Sequence, residues 1–100
     1  MKRAIGILLT SGLLLIGVDA HAFPGAELSK QAKISMAQAR AIALNAHQGK
    51  IVAGELEIES GGSGLRYSFD VKNKGVTQEV GVDARDGTIL ENKAEGVNPD

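Results

Sequence analysis

Glu55, Glu57 and Glu59 stand at alternate positions. That spacing places three carboxylates on one face of a strand, about 7 Å apart. Such a row can attract a basic partner or hold calcium weakly. Calcium takes about 6–8 oxygen ligands from a tight loop, which a flat strand face does not offer. The three glutamates are therefore candidate partner-binding residues on a solvated face. Asp83, Asp86 and Gly87 resemble part of a calcium loop, but the terminal glutamate is missing, because Ala94 stands in its place. Turn chemistry explains them better. Gly61-Gly62-Ser63-Gly64 has the glycine content of a phosphate cradle. No Lys-Ser/Thr pair follows it, and it leads into a strand pattern where a cradle must open a helix, so it reads as a flexible hairpin loop. His47 is the one histidine beyond residue 22. It has no second His or Cys as co-ligand and no nucleophile at a paired spacing, so it reads as a surface histidine near a helix end. Ser35 and Ser68 are assigned to a helix cap and a sheet surface. No catalytic residue, metal ligand or cofactor site is expected.

The elements that position these residues are few. The chain has 100 residues and no cysteine, with 11 basic and 12 acidic side chains. One domain fits that length. A net charge of −1 disfavours non-specific nucleic-acid binding. Without cysteine there is no disulfide framework, zinc knuckle or thiol nucleophile.

Residues 1–22 read as a signal peptide. Lys2 and Arg3 precede an uncharged run from Ala4 to Val18, and Ala20-His21-Ala22 forms an A-x-A cleavage site. The run is shorter than the roughly 20 apolar residues that span a bilayer. Cleavage after Ala22 leaves a chain that starts at Phe23 and keeps no stable membrane anchor. That chain holds 9 basic and 11 acidic residues, a net of −2. A periplasmic or secreted location is expected.

Residues 23–33 mix Pro, Gly and charges without a period and read as an N-terminal linker or a short frayed segment. Residues 34–49 read as a helix. Ser35 with Gln38 forms a capping box, Ala39, Ile42, Ala43 and Ala46 share a face, and Gly49 is placed as the C-cap. Strict alternation then marks strands at 51–59, 65–73, 76–83 and 88–92. The expected fold is α+β, with one helix packed on one face of a four-stranded antiparallel meander sheet. Ile42, Leu56, Phe69 and Val80 fill the space between the layers. Parity allows Ser60 to pair with Leu65. This sets Ile58 beside Tyr67, Leu56 beside Phe69, Glu59 beside Arg66 and Glu55 opposite Asp70. Asn73-Lys74-Gly75 makes the second hairpin and Asp83–Gly87 the third, with Gly87 at positive φ. Gly81 is unusual in mid-strand and marks a close approach or a bulge.

Two stretches in this order carry a resemblance. One is Ile34-Ser35 with Ala39 and Ala43 on a helix. The other is Val80-Gly81-Val82-Asp83-Ala84-Arg85-Asp86-Gly87-Thr88-Ile89-Leu90. They resemble the PepSY family, whose patterns are I-S-x-x-x-A-x-x-I-A and V-x-V-D-A-x-x-G-x-[IV]-L. The PepSY-like domain would span 34–95, leaving 96–100 as a tail. Gln78 departs from the aromatic or aliphatic residue usual there. The resemblance implies a non-catalytic module that binds another exported protein, such as a peptidase that it holds or inhibits. A small-ligand or metal-binding carrier and an accessory subunit of a membrane complex are the alternatives. The oligomeric state is left open.

Overall fold

A computed structural model describes residues 23–96. The expected signal peptide and cleavage site in residues 1–22, and the last four residues of the expected tail, lie outside the described residues. A 3-10 helix at Ala26–Gln31 is followed by α1 (Met36–Ala46), β1 (Lys50–Ile58), β2 (Leu65–Asn73), β3 (Val76–Asp83) and β4 (Ile89–Ala94). The four strands form one sheet in the order β1-β2-β3-β4, each antiparallel to its neighbour. The expected helix on a four-stranded meander is the fold.

α1 starts where its cap predicts. The Gln38 amide donates to Ser35 Oγ at 3.1 Å, and the Ser35 amide donates to Gln38 Oε1 at 2.8 Å. This reciprocal pair satisfies amides that the first turn leaves without partners. The helix ends at Ala46, earlier than expected, with His47 as an extended C-cap. Gly49 serves the backbone that follows. A Cβ there would meet the Lys72 carbonyl oxygen at 2.6 Å and Val71 Cγ1 at 2.9 Å, so only glycine lets the chain pass this close to β2.

α1 lies mainly over β2 and β3. Ala39 and Ala43 are fully buried there, and their small side chains bring the helix close to Tyr67, Phe69, Val71, Val80 and Val82. The Tyr67 and Phe69 rings stack with centroids 6.4 Å apart. The buried Tyr67 hydroxyl donates to the Ile34 carbonyl at 2.7 Å, so its polar end is satisfied. Leu56, Phe69 and Val80 are core residues as expected, and half-buried Ile42 packs against them.

The β1–β2 register differs from the expected one by two residues. Ile58 faces Leu65, Leu56 faces Tyr67, Gly54 faces Phe69 and Glu57 faces Arg66. The parity argument chose the correct faces but not the phase. Gly54 accommodates the Phe69 ring, where a Cβ would meet Cδ1 at 2.9 Å. The connection is the wider loop 59–64, closed by bonds from the Glu59 amide to the Gly64 carbonyl and from the Gly64 amide to the Gly61 carbonyl. The expected contact of Glu55 with Asp70 is absent from the pairing: Glu55 faces Ser68, and Asp70 lies between Ala53 and Glu79. A bulge between Ile51 and Ala53 then returns Ile51 to the covered side, opposite Val71. Ile58, grouped with Leu56 by alternation, is 70% exposed. It stands at the end of the edge strand, away from the ground that α1 covers.

Residues 23–33, expected as a linker, pack along β1. The Leu56 amide donates to the Pro24 carbonyl at 3.0 Å, and Phe23, Leu28 and Ala32 touch the core's margin. We call Phe23–Gln31 the strap. Downstream of it, the Lys33 and Ile34 amides both donate to the Ala84 carbonyl, at 2.8 and 3.1 Å. Six residues of 3-10 helix are too short to show a hydrophobic period, which is why composition alone suggested a linker.

Candidate protein-binding face

The sheet's other face carries the charge. Because β1 alternates, Glu55 and Glu57 project away from α1, and Glu59 continues the row just past the strand. Cross-strand pairing lines up Glu55, Ser68, Gly81 and Glu91 in one row. The neighbouring row holds Ala53, Asp70, Glu79 and Lys93. Glu55, Glu57, Glu59, Ser68, Asp70, Glu79 and Glu91 surround a shallow depression of about 250 Å³. The three predicted residues are thus brought together, and the sheet adds Asp70, Glu79 and Glu91 from strands far apart in sequence.

Neighbours set the electrostatics of this face. A hydrogen bond with Glu57 raises the Glu55 pKa above its ordinary value, helped by partial burial and by repulsion from Glu57, Asp70 and Glu59. Burial pushes Glu57 upward, but the Ser68 hydroxyl, donating at 2.6 Å, outweighs it together with hydrogen bonds to Glu59 and Glu55 and the Arg66 charge. Glu57 therefore sits below its ordinary value. Glu59 is raised through its hydrogen bond with Glu57, partly opposed by Arg66. Burial raises Glu79, and Glu91, Glu95 and Asp70 add repulsion. Excess negative charge is held on this face against its own repulsion.

Among the described residues, two cations pair with Glu91 on this face: exposed Lys93 reaches it at 3.5 Å, and Arg66 is built into the face. The Arg66 side chain is 9% exposed, and its guanidinium reaches Glu91 at 3.4 Å and the Ser60 carbonyl at 3.1 Å. It passes over Gly81, where a Cβ would meet Arg66 Nη1 at 3.2 Å and Glu91 Cβ at 3.3 Å. The register of β3 on β4 shifts immediately after, between Gly81 and Val82. Both features anticipated for Gly81, close approach and bulge, are present. The sequence flagged the glycine but could not name its neighbour, since Arg66 reaches it from another strand. Arg66 Nε is buried with no hydrogen-bond partner among the described residues.

Asp83, read from sequence as a turn residue, accepts from the Arg85 amide within its turn and also reaches the glycine loop. It is 4% exposed. Ser63 donates to it through its hydroxyl at 2.6 Å and its amide at 2.8 Å, and the Arg85 amide donates at 2.9 Å. Burial pushes its pKa up, but these bonds and the Arg85 charge prevail and hold it below its ordinary value. Ser63 and Asp83 have a structural job: they tie the glycine loop to the β3–β4 turn. That loop is anchored, where a free hairpin loop was expected. Gly87 has φ 80, as predicted, and Asp86 accepts from the Thr88 amide at 2.9 Å.

The remaining candidates place as follows. Half-buried His47 takes part in no side-chain hydrogen bond or ion pair among the described residues. Asp70, Glu79 and Glu95 can each bring one carboxylate oxygen within 4.8 Å of the others. Three carboxylates on an open strand face fall short of the about 6–8 oxygens that calcium takes.

The family model described as "Peptidase propeptide and YPEB domain", PepSY, matches residues 33–93. The chain belongs to the PepSY family. No curated protein and no solved structure matches it. PepSY domains are in general non-catalytic modules of propeptide or inhibitor type and typically work in extracellular or periplasmic space. No helix among the described residues is long and apolar enough to cross a membrane. The PepSY match starts at Lys33, where the chain is bonded to Ala84, and ends in β4. The strap lies outside it. Within the match, the V-x-V-D-A-x-x-G pattern acquires physical content. Val80 and Val82 are core, Asp83 anchors the glycine loop, and Ala84 bonds to Leu65, Lys33 and Ile34. Gly87 makes room for Ile42, whose Cδ1 would lie 2.9 Å from a Cβ.

Proposed function

We propose that this PepSY protein is exported, begins at Phe23 once its signal peptide is removed, and works without catalysis by binding another exported protein. A peptidase that it holds or inhibits is the partner class we favour. Glu55, Glu57 and Glu59 are the residues assigned to that contact. The observation that carries the reading is the joined acidic face, where those three and Asp70, Glu79 and Glu91 surround one depression. A surface that keeps this many carboxylates together at the expense of mutual repulsion suits a basic partner surface and steers its approach.

The test is capture from the organism's own envelope fraction with immobilised protein, followed by peptidase assays on what is retained. A peptidase should be retained and slowed. The Glu55→Lys/Glu57→Lys/Glu59→Lys variant should lose it while keeping its thermal midpoint. Equal capture by both proteins would remove these residues from the contact. Turnover of a substrate by the purified protein, lost in His47→Ala, would overturn the non-catalytic reading.

A further inference from the structure

β1 is one edge of the sheet, and one position on that edge is already taken. The Leu56 amide points outward and donates to the Pro24 carbonyl at 3.0 Å. Ladder alternation sends the Gly54 and Ile58 amides off the same edge. Gly25, next in the strap, has φ 85, and a Cβ there would overlap the Leu56 carbonyl oxygen. The 3-10 helix that completes the strap contains no buried residue. The Pro24 carbonyl thus occupies the place that an added strand's carbonyl would take, on a segment with a shallow hold.

We propose that the β1 edge receives an extended strand with Lys or Arg at alternate positions, and that the strap is the cover this strand displaces. The proposal rests on the acidic face being a protein-binding surface and names the chemistry of the partner. Charge complementarity selects the occupant. A strand added beside β1 places every second side chain on the outer face, next to Glu55, Glu57 and Glu59. The intervening side chains fall on the covered side, beside the 70% exposed Ile58. There a groove of about 530 Å³, walled on the sheet side by Ile58, Ser63, Gly64, Leu65 and Arg85, takes a side chain. A second copy of β1 would bring its own glutamates against these, which disfavours self-pairing.

The experiment titrates the protein with a capped Lys-Val-Lys-Val-Lys-Val-Lys peptide and with its Glu-Val counterpart, following backbone amides by NMR and hydrogen exchange. The lysine peptide should bind and slow exchange at Gly54 and Ile58. It should shift the Gly25 and Ala26 signals as the strap leaves, while Leu56 stays protected by its new partner. The Glu-Val peptide should not bind. Gly25→Val, which frees the edge, should tighten lysine-peptide binding about fivefold, the weight of one backbone hydrogen bond. Glu55→Lys/Glu57→Lys should abolish it. Binding of both peptides alike, or lysine-peptide binding that leaves Gly54 and Ile58 exchanging as before, overturns the edge. Strap signals unmoved at saturation in the unmodified protein overturn the displacement, even where Gly25→Val fails to fold. If either happens while the triple charge reversal still abolishes capture of an exported protein, the inference fails and the protein-binding reading stands.

Discussion

Ser63 is fastened to Asp83 by two hydrogen bonds, from its hydroxyl at 2.6 Å and its amide at 2.8 Å, across 20 residues of sequence. The aspartate is buried and its proton affinity is lowered in the fold. A carboxyl with a depressed folded pKa contributes stability above its unfolded pKa, about 3.9, and that contribution is lost as pH falls through the folded value. Asp83→Asn should therefore lower the unfolding free energy at pH 7 by about 1.5–3 kcal/mol, the weight of a hydrogen bond to a charged group, and the urea midpoint with it. It should also flatten the fall in stability below about pH 4. Parallel urea titrations at neutral and acid pH check both.

Of the outer glutamates, Glu57 is lowered like Asp83, while Glu55, Glu59 and Glu79 act in the opposite sense. Glu55 and Glu79 are raised in the fold, so they bind protons more readily folded than unfolded. Stability should rise as pH falls through their folded values, before the Asp83 loss sets in. Glu79→Gln should raise the thermal midpoint at pH 7 and shrink that rise. A midpoint that does not rise as pH is lowered from 7 towards the ordinary glutamate value of 4.5 would contradict the assignment.

Arg66 and Gly81 should be coupled. Gly81→Ala places a methyl against the guanidinium and Glu91, and should cost about 1–3 kcal/mol as an overpacked contact. In an Arg66→Ala background the same change should cost less, since only the contact with Glu91 Cβ remains. A double-mutant cycle on denaturation midpoints measures the difference, and additive effects would contradict the contact.

Phe69 carries the core. Phe69→Ala should cost about 3–5 kcal/mol, enough to unfold most of a domain this small. His47→Ala should stay within about 1 kcal/mol. Comparable urea midpoints for Phe69→Ala and the unmodified protein would contradict the packing described.

Much of this architecture was legible in local pattern. Alternation named the faces of β2 and β3, the Ser35 and Gln38 spacing named the helix start, and Gly87 named the last turn. What escaped was set by distant groups. Parity sorts side chains to one face or the other, yet the phase of β1 on β2 depends on a six-residue loop closed through Asp83, and on Phe69 finding Gly54. Of the acidic face, the glutamate row on β1 was visible in sequence. Glu79 and Glu91 join it only because strand order brings them alongside, and Arg66 becomes a fixed cation only because Gly81 leaves room.

The meander also sets an order of assembly. Every strand pairs with its neighbour in sequence, so each ladder can close as a hairpin across a short loop. The bonds that dock the helical end are distant: the Tyr67 hydroxyl meets Ile34 across 33 residues, and Lys33 waits for Ala84. Closing a longer loop costs more chain entropy, so the hairpins should form before α1 settles. Yet α1 precedes every strand in the sequence and must wait undocked for β3. The centre of its contact face is Ala39 and Ala43, with Met36, Ile42 and Leu44 only at the margin, so that centre offers little apolar surface to aggregate in the meantime. An alanine face gives up burial energy in the finished fold and makes the half-folded chain safer.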